Sequence, residues 1–538
     1  MSTGERMVVV VSGPVAGGKS ALARRLEARF NGRRLSTREV LMKRLPIGQP
    51  ATRSALQQVG TKWDEETGGA WVAEQLGREI WRQRGSGQDL VIVDSARVLG
   101  QLEALRTAFG RDVRHVHVTA SRLTCAERYA ARQSREDFKE ALSYDEVMAD
   151  PTEKGVDDLR RVADIVIDTD HDVEEDVVTR VAAQLGLLER TNEPNVDVIV
   201  GGQYGSEGKG NIAYHLAPEY DLLIRVGGPN AAHKVPLPSG VFTHFLLPSG
   251  TQHGEAKLLL GPGAVVDVEL LFQEIAQSDV DANRLSIDPQ VMIIEAADKE
   301  REAELRKRIG STASGAGEAT ARRVLRASDV RLARDVKELE PYVRPASQLL
   351  EQAYASRWRI MVEGTQGSGL SLYHGYYPHV TSRDTNVAGC LAEAGIPPSR
   401  VRRTVLVVRS YPIRVAGPSG HITSELTWEE IESRAELPAG TLSEKELTSK
   451  TKTLRRVGEF EWDLVRKAAL LNAPTDIALT FADYLAAENR QAWRFEQLTK
   501  ETLRFIDELE RVTGARVSLI SVGFEQYAQR PLIDRREW

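Results

Sequence analysis

The chain has 538 residues, a formal net charge of −6, an apolar fraction of 41% and a charged fraction of 28%. That is the composition of a globular protein with chain for about three to four domain-sized units, and it carries no global basic signal for nucleic acid. Its two cysteines, Cys125 and Cys390, are far apart and lack metal-ligand spacing, which points to a reducing cytoplasm and away from a disulfide framework or zinc site. The first apolar run, Val8–Val11, is too short for a signal peptide or a membrane span, so no membrane partner is expected.

That run, Met7-Val-Val-Val-Val-Ser12, reads as a strand entering Gly13-Pro-Val-Ala-Gly-Gly18-Lys19-Ser20, and a helix-like pattern follows. This is G-x-x-x-x-G-K-[ST] at every fixed position, in the strand–loop–helix setting it needs. Loop amides at Gly13 and Gly18 would cradle a nucleoside triphosphate, Lys19 would reach its terminal phosphates, and Ser20 would hold Mg²⁺. A second strand, 89–94, ends in Asp94, either a magnesium-side or substrate-facing carboxylate or a helix cap. A third, 113–120, precedes a helix with Arg122, Arg128, Arg132 and Arg135, either a phosphate-clamping lid or a solvated face. Ala163-Asp-Ile-Val-Ile-Asp168 reads as a final strand. Alternating strands and helices predict a parallel sheet. Residues 1–190 thus resemble the P-loop nucleoside and deoxynucleoside monophosphate kinases, with Arg53 as a candidate for the acceptor phosphate. The polar Thr-Asn-Glu-Pro194 places a linker at about 189–195.

Residues 195–538 open on a second loop of the same physical kind. Val-Asp-Val-Ile-Val200 leads into Gly201-Gly-Gln-Tyr-Gly205-Ser206-Glu207-Gly208-Lys209-Gly210, and a helix-like pattern begins at Asn211. Five glycines and a lysine in ten residues between a strand and a helix make an anion site. Asp221-Leu-Leu-Ile-Arg-Val-Gly-Gly-Pro-Asn230-Ala-Ala232-His233 is another strand and glycine turn. Further on come the small-residue loop Ile309–Gly317 with Thr312, followed by Arg322 and Arg323, and the turn holding Gln366. Then follow Thr381 in Tyr377-Pro-His-Val-Thr-Ser, Lys450-Thr451-Lys-Thr453-Leu-Arg455-Arg456, Thr480-Phe481-Ala-Asp483, and Ile520-Ser521-Val-Gly523.

These segments resemble the adenylosuccinate synthetase family over about the last 340 residues. The resemblance implies a second α/β, P-loop-related domain that joins L-aspartate to C6 of a 6-oxopurine nucleotide. A nucleoside triphosphate drives the reaction by forming a 6-phosphoryl purine. It implies catalytic roles for Ser206, Lys209 and His233. It implies triphosphate binding by Gly205–Gly210, Asp483, Ser521 and Gly523, and purine monophosphate binding by Asn230, Thr312, Arg322, Gln366, Thr381 and Thr453. Aspartate would be held by Thr451 and Arg455, and Mg²⁺ by Ser206 and the Ala232 carbonyl. In the family an arginine matching Arg322, or Arg323 beside it since the interval after the Thr312 loop is shorter here, reaches the neighbouring subunit's nucleotide, so a homodimer is expected.

Three positions depart from the family pattern. Ser206 replaces the aspartate that takes the purine N1 proton, and a serine hydroxyl cannot serve as that base unaided. Thr453 replaces an arginine that touches the ribose 2′-hydroxyl. Phe481 replaces the lysine of the guanine-reading loop, which opens the donor site to ATP or dATP as well as GTP. Serine leaves room at C2 for a 2-amino group, as in the 2-aminoadenylosuccinate synthetases. The expected reaction is therefore (d)GMP plus L-aspartate, with IMP and GTP as runner-up. A kinase carrying a non-catalytic, sensor-like second domain is the competing class. Retention of Lys209, His233, Gln366 and the Arg455-Arg456 pair argues against it.

Overall fold

The computed structural model describes every residue except 1–5, 47–51, 83–89, 134–142, 150–152, 154, 172, 189–192, 239, 449–452, 524–531 and 537–538. Thr451, Arg135 and the first residues of the expected linker lie outside that set. The chain divides into two compact units, Met1–Arg190 and Thr191–Trp538.

The first unit holds β1 (Met7–Ser12), β2 (Arg33–Ser36), β3 (Leu90–Asp94), β4 (Val113–Thr119) and β5 (Ile165–Asp168). They form one sheet in the order β2-β3-β1-β4-β5, and every pairing is parallel. The β-branched run of β1 suits a central strand covered on both faces. Side chains alternate across a strand, so Val8 and Val10 enter a cluster with Trp71 and Leu102, while Val9 and Val11 pack with Leu22 and Leu26 on the other face. Full burial of each such valine contributes about 1.5–3 kcal/mol.

The second unit's strands are, in chain order, β6 (Val196–Gly201), β7 (Leu222–Arg225), β8 (His233–Leu237), β9 (Gly240–His244), β10 (Lys257–Leu260), β11 (Val265–Val266), β12 (Leu285–Ile287), β13 (Met292–Ile293), β14 (Ile360–Glu363), β15 (Val401–Arg409), β16 (Ile413–Arg414), β17 (Glu425–Leu426), β18 (Arg456–Gly458), β19 (Asp476–Thr480), β20 (Arg516–Ile520) and β21 (Ile533–Asp534). Nine form one sheet, ordered β12-β10-β7-β14-β6-β15-β19-β20-β21. All neighbours are parallel except β21, which is antiparallel to β20. Val196, Val198 and Val200 enter one core and Ile199 the other.

Parallel strands put all their carboxyl ends on one edge, where open α/β sheets bind ligands. On that edge β7 ends at Arg225, β14 at Glu363, β15 at Arg409 and β19 at Thr480, while β6 runs into the glycine loop.

Candidate active site

In the first unit, residues 13–18 connect β1 to the helix Lys19–Arg29. Gly18 is its N-cap, in the left-handed region at φ +99°, and makes no side-chain cap, the arrangement in which a helix N-terminus can take an anion. Lys19 Nζ donates to the carbonyls of Gly13 at 2.7 Å and Pro14 at 2.6 Å. Ser20 Oγ donates to Asp94 Oδ1 at 3.0 Å, and Arg34 Nη1 lies 2.9 Å from Asp94 Oδ2. Asp94 is therefore a P-loop partner, not a helix cap. A hydroxyl and a carboxylate side by side are hard oxygen donors that fit Mg²⁺. Of the arginines suggested as a lid, Arg122 pairs with Asp145, and Arg128 donates to Thr169, whose hydroxyl donates to the Gly17 carbonyl. Arg53 opens the helix Arg53–Thr67.

In the second unit a cavity of about 1040 Å³ opens at the carboxyl edge of the large sheet. Its wall brings together Gly205, Ser206, Gly208, Lys209, Gly210, Asn230, Ala232, His233, Thr312, Gln366, Thr381, Thr453, Arg455, Asp483 and Gly523. The glycine loop repeats the geometry of the first unit: Gly208 caps the helix Lys209–Leu216 at φ +89°, again without a side-chain cap. Three non-glycine residues on the wall hold left-handed backbone, Ser206 at φ +54°, Gln366 at +58° and Phe481 at +56°. Each such conformation costs about 1–3 kcal/mol and clusters at ligand sites.

Glu207 is not on the wall. It is fully buried, its Oε1 accepts from the N–H groups of Gln203 at 3.1 Å and Gly205 at 2.8 Å, and its Oε2 takes Lys209 Nζ at 2.5 Å. The carboxylate thus shapes the loop from behind, and any contact of Glu207 with a triphosphate falls to its backbone amide. Ser206 is exposed, so the loop presents a hydroxyl to the cavity and no carboxylate.

Arg322, expected at a neighbouring subunit's nucleotide, does not line this cavity. It is 7% exposed, and its Nε and Nη2 hold both oxygens of Asp298 at 2.8 and 2.9 Å, away from the cavity. Ser521 is buried in backbone pairing with Leu479 and Ala482 and does not line the cavity.

His233 is held by residues the sequence reading did not single out. Its Nδ1 contacts Glu363 Oε1 directly, and Arg225 Nη1 lies 2.7 Å from Nδ1 and 2.8 Å from the same carboxylate oxygen. Ser249 donates to Glu363 from its N–H at 2.7 Å and its hydroxyl at 2.5 Å. Burial, with the Arg225 charge behind it, pushes the imidazole down to about 4 against the pull of Glu363. Burial acts to raise Glu363, but Arg225, His233 and the Ser249 hydrogen bond outweigh it and hold the carboxyl at about 2. With Glu363 ionised, Nδ1 keeps its proton toward the carboxylate, and Nε2 is the nitrogen left for a ligand.

Arg409 and Glu446 organise another wall. Arg409 Nη2 lies 2.8 Å from Glu446 Oε1, its Nη1 donates to the Ser206 carbonyl at 3.3 Å, and its guanidinium sits 4.1 Å over the Phe481 ring. Arg455 Nη1 lies 3.0 Å from the other oxygen of Glu446. Burial raises Asp483 to about 6 against Arg490, and its Oδ1 has no hydrogen-bond partner among the described residues. The missed residues share a signal: each of Arg225, Glu363 and Arg409 closes an apolar strand, where a charge has no packing reason to be.

Among the described residues no helix is long and apolar enough to cross a membrane, and no three His, Cys, Asp or Glu gather as a metal cluster. Cys125 and Cys390 are both free and buried.

Comparison with known proteins adds to this geometry. The adenylosuccinate synthetase family model matches residues 198–336 and 329–490. The adenylosuccinate synthetase of Pyrococcus horikoshii is 36% identical over 348 residues, 63% of this chain and 98% of that protein. The enzyme of Methanocaldococcus jannaschii is 36% identical over 338 residues, 61% of this chain and 94% of its own length. Among solved structures, the succinoaminodeoxyadenylate synthetase of cyanophage S-2L, bound to dGMP and to dATP as energy donor, is 27% identical. It aligns with a TM-score of 0.54 over 64% of this chain and 96% of that one. The fully ligated Plasmodium falciparum adenylosuccinate synthetase, at 20% identity and a TM-score of 0.56 over 64% of this chain and all of its own, shares the fold. The chain therefore belongs to the adenylosuccinate synthetase family, and its second unit ligates aspartate to a purine nucleotide.

Proposed function

We propose that the second unit converts (d)GMP, L-aspartate and a nucleoside triphosphate to 2-amino-(deoxy)adenylosuccinate, and that the first unit is a P-loop nucleotide kinase. The observation that carries the choice of substrate is the glycine loop. Its one acid, Glu207, is turned inward onto Lys209, and Ser206 stands at the cavity. A carboxylate at that place would crowd a 2-amino group, whereas a hydroxyl accommodates and contacts it. The likeness to the cyanophage enzyme bound to dGMP and dATP supports the same reading. Thr453 in place of an arginine removes a ribose 2′-hydroxyl contact, which favours deoxynucleotides. Phe481, stacked under Arg409, replaces a guanine-reading lysine with an aromatic face, which favours ATP or dATP.

In this reading Lys209 leaves Glu207 for the triphosphate, joined by the open amides of the Gly208–Gly210 turn. Mg²⁺ fits beside the Ser206 hydroxyl and the Ala232 carbonyl, neutral hard oxygens that leave most of its coordination to phosphate and water. When bound it neutralises phosphate charge. His233, fixed through Nδ1 by Glu363, faces the 6-oxygen with Nε2 and gains imidazolium character from the phosphates' negative charge. The 6-oxygen attacks the γ-phosphorus, the nucleoside diphosphate leaves, and the purine N1 proton passes to water. Arg455 holds an aspartate carboxylate, the amine attacks C6, and the C6–O bond breaks to release phosphate. In the first unit, Lys19, Ser20 and Asp94 match the parts that position a triphosphate and its Mg²⁺.

The test is aspartate-dependent phosphate release with dGMP, GMP and IMP, each run with ATP, dATP and GTP. Preference for dGMP or GMP with an adenine triphosphate is expected, and clear preference for IMP with GTP would overturn the substrate assignment. The same panel without aspartate, analysed for nucleoside diphosphate formed from the monophosphate, reads phosphoryl transfer, the activity assigned to the first unit.

A further inference from the structure

Behind Gln366, on the cavity wall, runs a chain of polar groups that the proposed chemistry does not use. Thr365 Oγ1 lies 2.7 Å from Gln366 Oε1. Arg383 Nη1 lies 3.1 Å from Thr365 Oγ1, and its Nε donates to Glu393 Oε1 at 2.6 Å. The second oxygen of Glu393 accepts from the Gly227 N–H at 2.9 Å. Gly227 has φ +88°, and a Cβ there would sit 2.4 Å from Thr365 Oγ1. The loop that leads to Asn230 and His233 thus closes directly on this chain, and only glycine fits at that point.

The chain settles which way the Gln366 amide points. A guanidinium has only donors, so the Thr365 oxygen accepts from Arg383. Thr365 is 1% exposed, and its one hydroxyl hydrogen needs an acceptor. The group beside it is the Gln366 amide, and the oxygen is the end that accepts. With the amide reversed, its NH₂ and Arg383 would both donate to Thr365, and the hydroxyl hydrogen would have no acceptor among the described residues. The amide oxygen is therefore held against the wall, and the amide NH₂ is left for the cavity.

We propose that Arg383 and Thr365 are positioning residues that fix the Gln366 amide as a donor toward the purine's acceptor edge, so that the site selects 6-oxopurine over 6-aminopurine monophosphates. This rests on the reading that the cavity holds a purine monophosphate. A 6-oxygen accepts from the Gln366 NH₂. A 6-amino group sets donor against donor, and a buried donor left unmatched is strongly disfavoured. The same opposition applies to the product, whose 6-nitrogen carries a hydrogen, and favours its release.

The experiment is equilibrium binding, by calorimetry, of two nucleotide pairs that differ only at position 6: dGMP with 2,6-diaminopurine deoxynucleoside monophosphate, and IMP with AMP. Wild type, Thr365→Val and Thr365→Ser are compared. The wild type is expected to prefer the 6-oxo member of each pair. Thr365→Val, which removes the hydroxyl at nearly constant volume, is expected to cut that preference about tenfold, and Thr365→Ser to retain it. If valine disturbs the packing against Gly227, Thr365→Ala gives the same comparison. A preference unchanged in the hydroxyl-free variant, or absent from the wild type, overturns the inference and leaves the purine site standing. Failure of the wild type to bind any of the four overturns the purine reading itself.

Discussion

His233 is reached from the sequence by its place after a Gly-Gly turn, but its chemistry is set by neighbours far along the chain. Glu363 is 130 positions away and Arg225 eight, and both stand at strand ends beside it. General acid–base groups placed in this way contribute about 10²–10⁴-fold. His233→Ala is accordingly expected to lower aspartate-dependent phosphate release by at least about a hundredfold while purine monophosphate binding persists, read by phosphate assay and calorimetry together. Release at the wild-type rate would remove His233 from the chemistry. That Ser206, Lys209, His233, Gln366 and Arg455 share one cavity wall could be anticipated because each sits in a short segment with its own local pattern. The Arg322 and Glu207 side chains turn away from the cavity for one reason. A motif gives a residue's position along the chain, whereas the direction of its side chain depends on the nearest countercharge. That countercharge is Asp298 for the one and Lys209 for the other.

Both glycine loops are built alike: an apolar β-branched strand, a glycine in the left-handed region at the N-cap, and a helix without a side-chain cap starting on the lysine. The strand is fixed by its burial and the turn by its glycines, so both elements could be read directly from residue types. The central sheet strand of the first unit has a further feature that periodicity could not show. Ser12 Oγ lies 2.7 Å from His115 Nε2 and 2.8 Å from His117 Nδ1, and both rings are buried. Burial pushes each imidazole from 6.5 down to about 4. Between those values the unfolded chain binds protons that the folded chain does not, so these two residues make stability fall as pH drops from 6.5 toward 4. Thermal unfolding across that range is expected to show a smaller drop in His115→Gln/His117→Gln than in the wild type. An unchanged pH slope in the double variant would show that the pair does not titrate in this way.

Two P-loop units on one chain could each consume a nucleoside triphosphate, and triphosphate consumption alone does not separate them. The family match starts at residue 198, within the second unit, and the relatives it resembles are covered almost entirely by that unit. What distinguishes the second unit is the fate of one oxygen atom. A kinase moves phosphate to an acceptor hydroxyl or phosphate and leaves the purine ring intact. The ligation proposed here forms a bond from the purine 6-oxygen to phosphorus and then breaks the bond from that oxygen to C6. The most direct measurement uses dGMP carrying ¹⁸O at position 6, with aspartate and ATP or dATP, followed by mass analysis of the released phosphate. One labelled oxygen per phosphate, formed only when aspartate is present, is the predicted result. Unlabelled phosphate accompanying the ligated product would contradict phosphorylation at the 6-oxygen and the account of the cavity that depends on it.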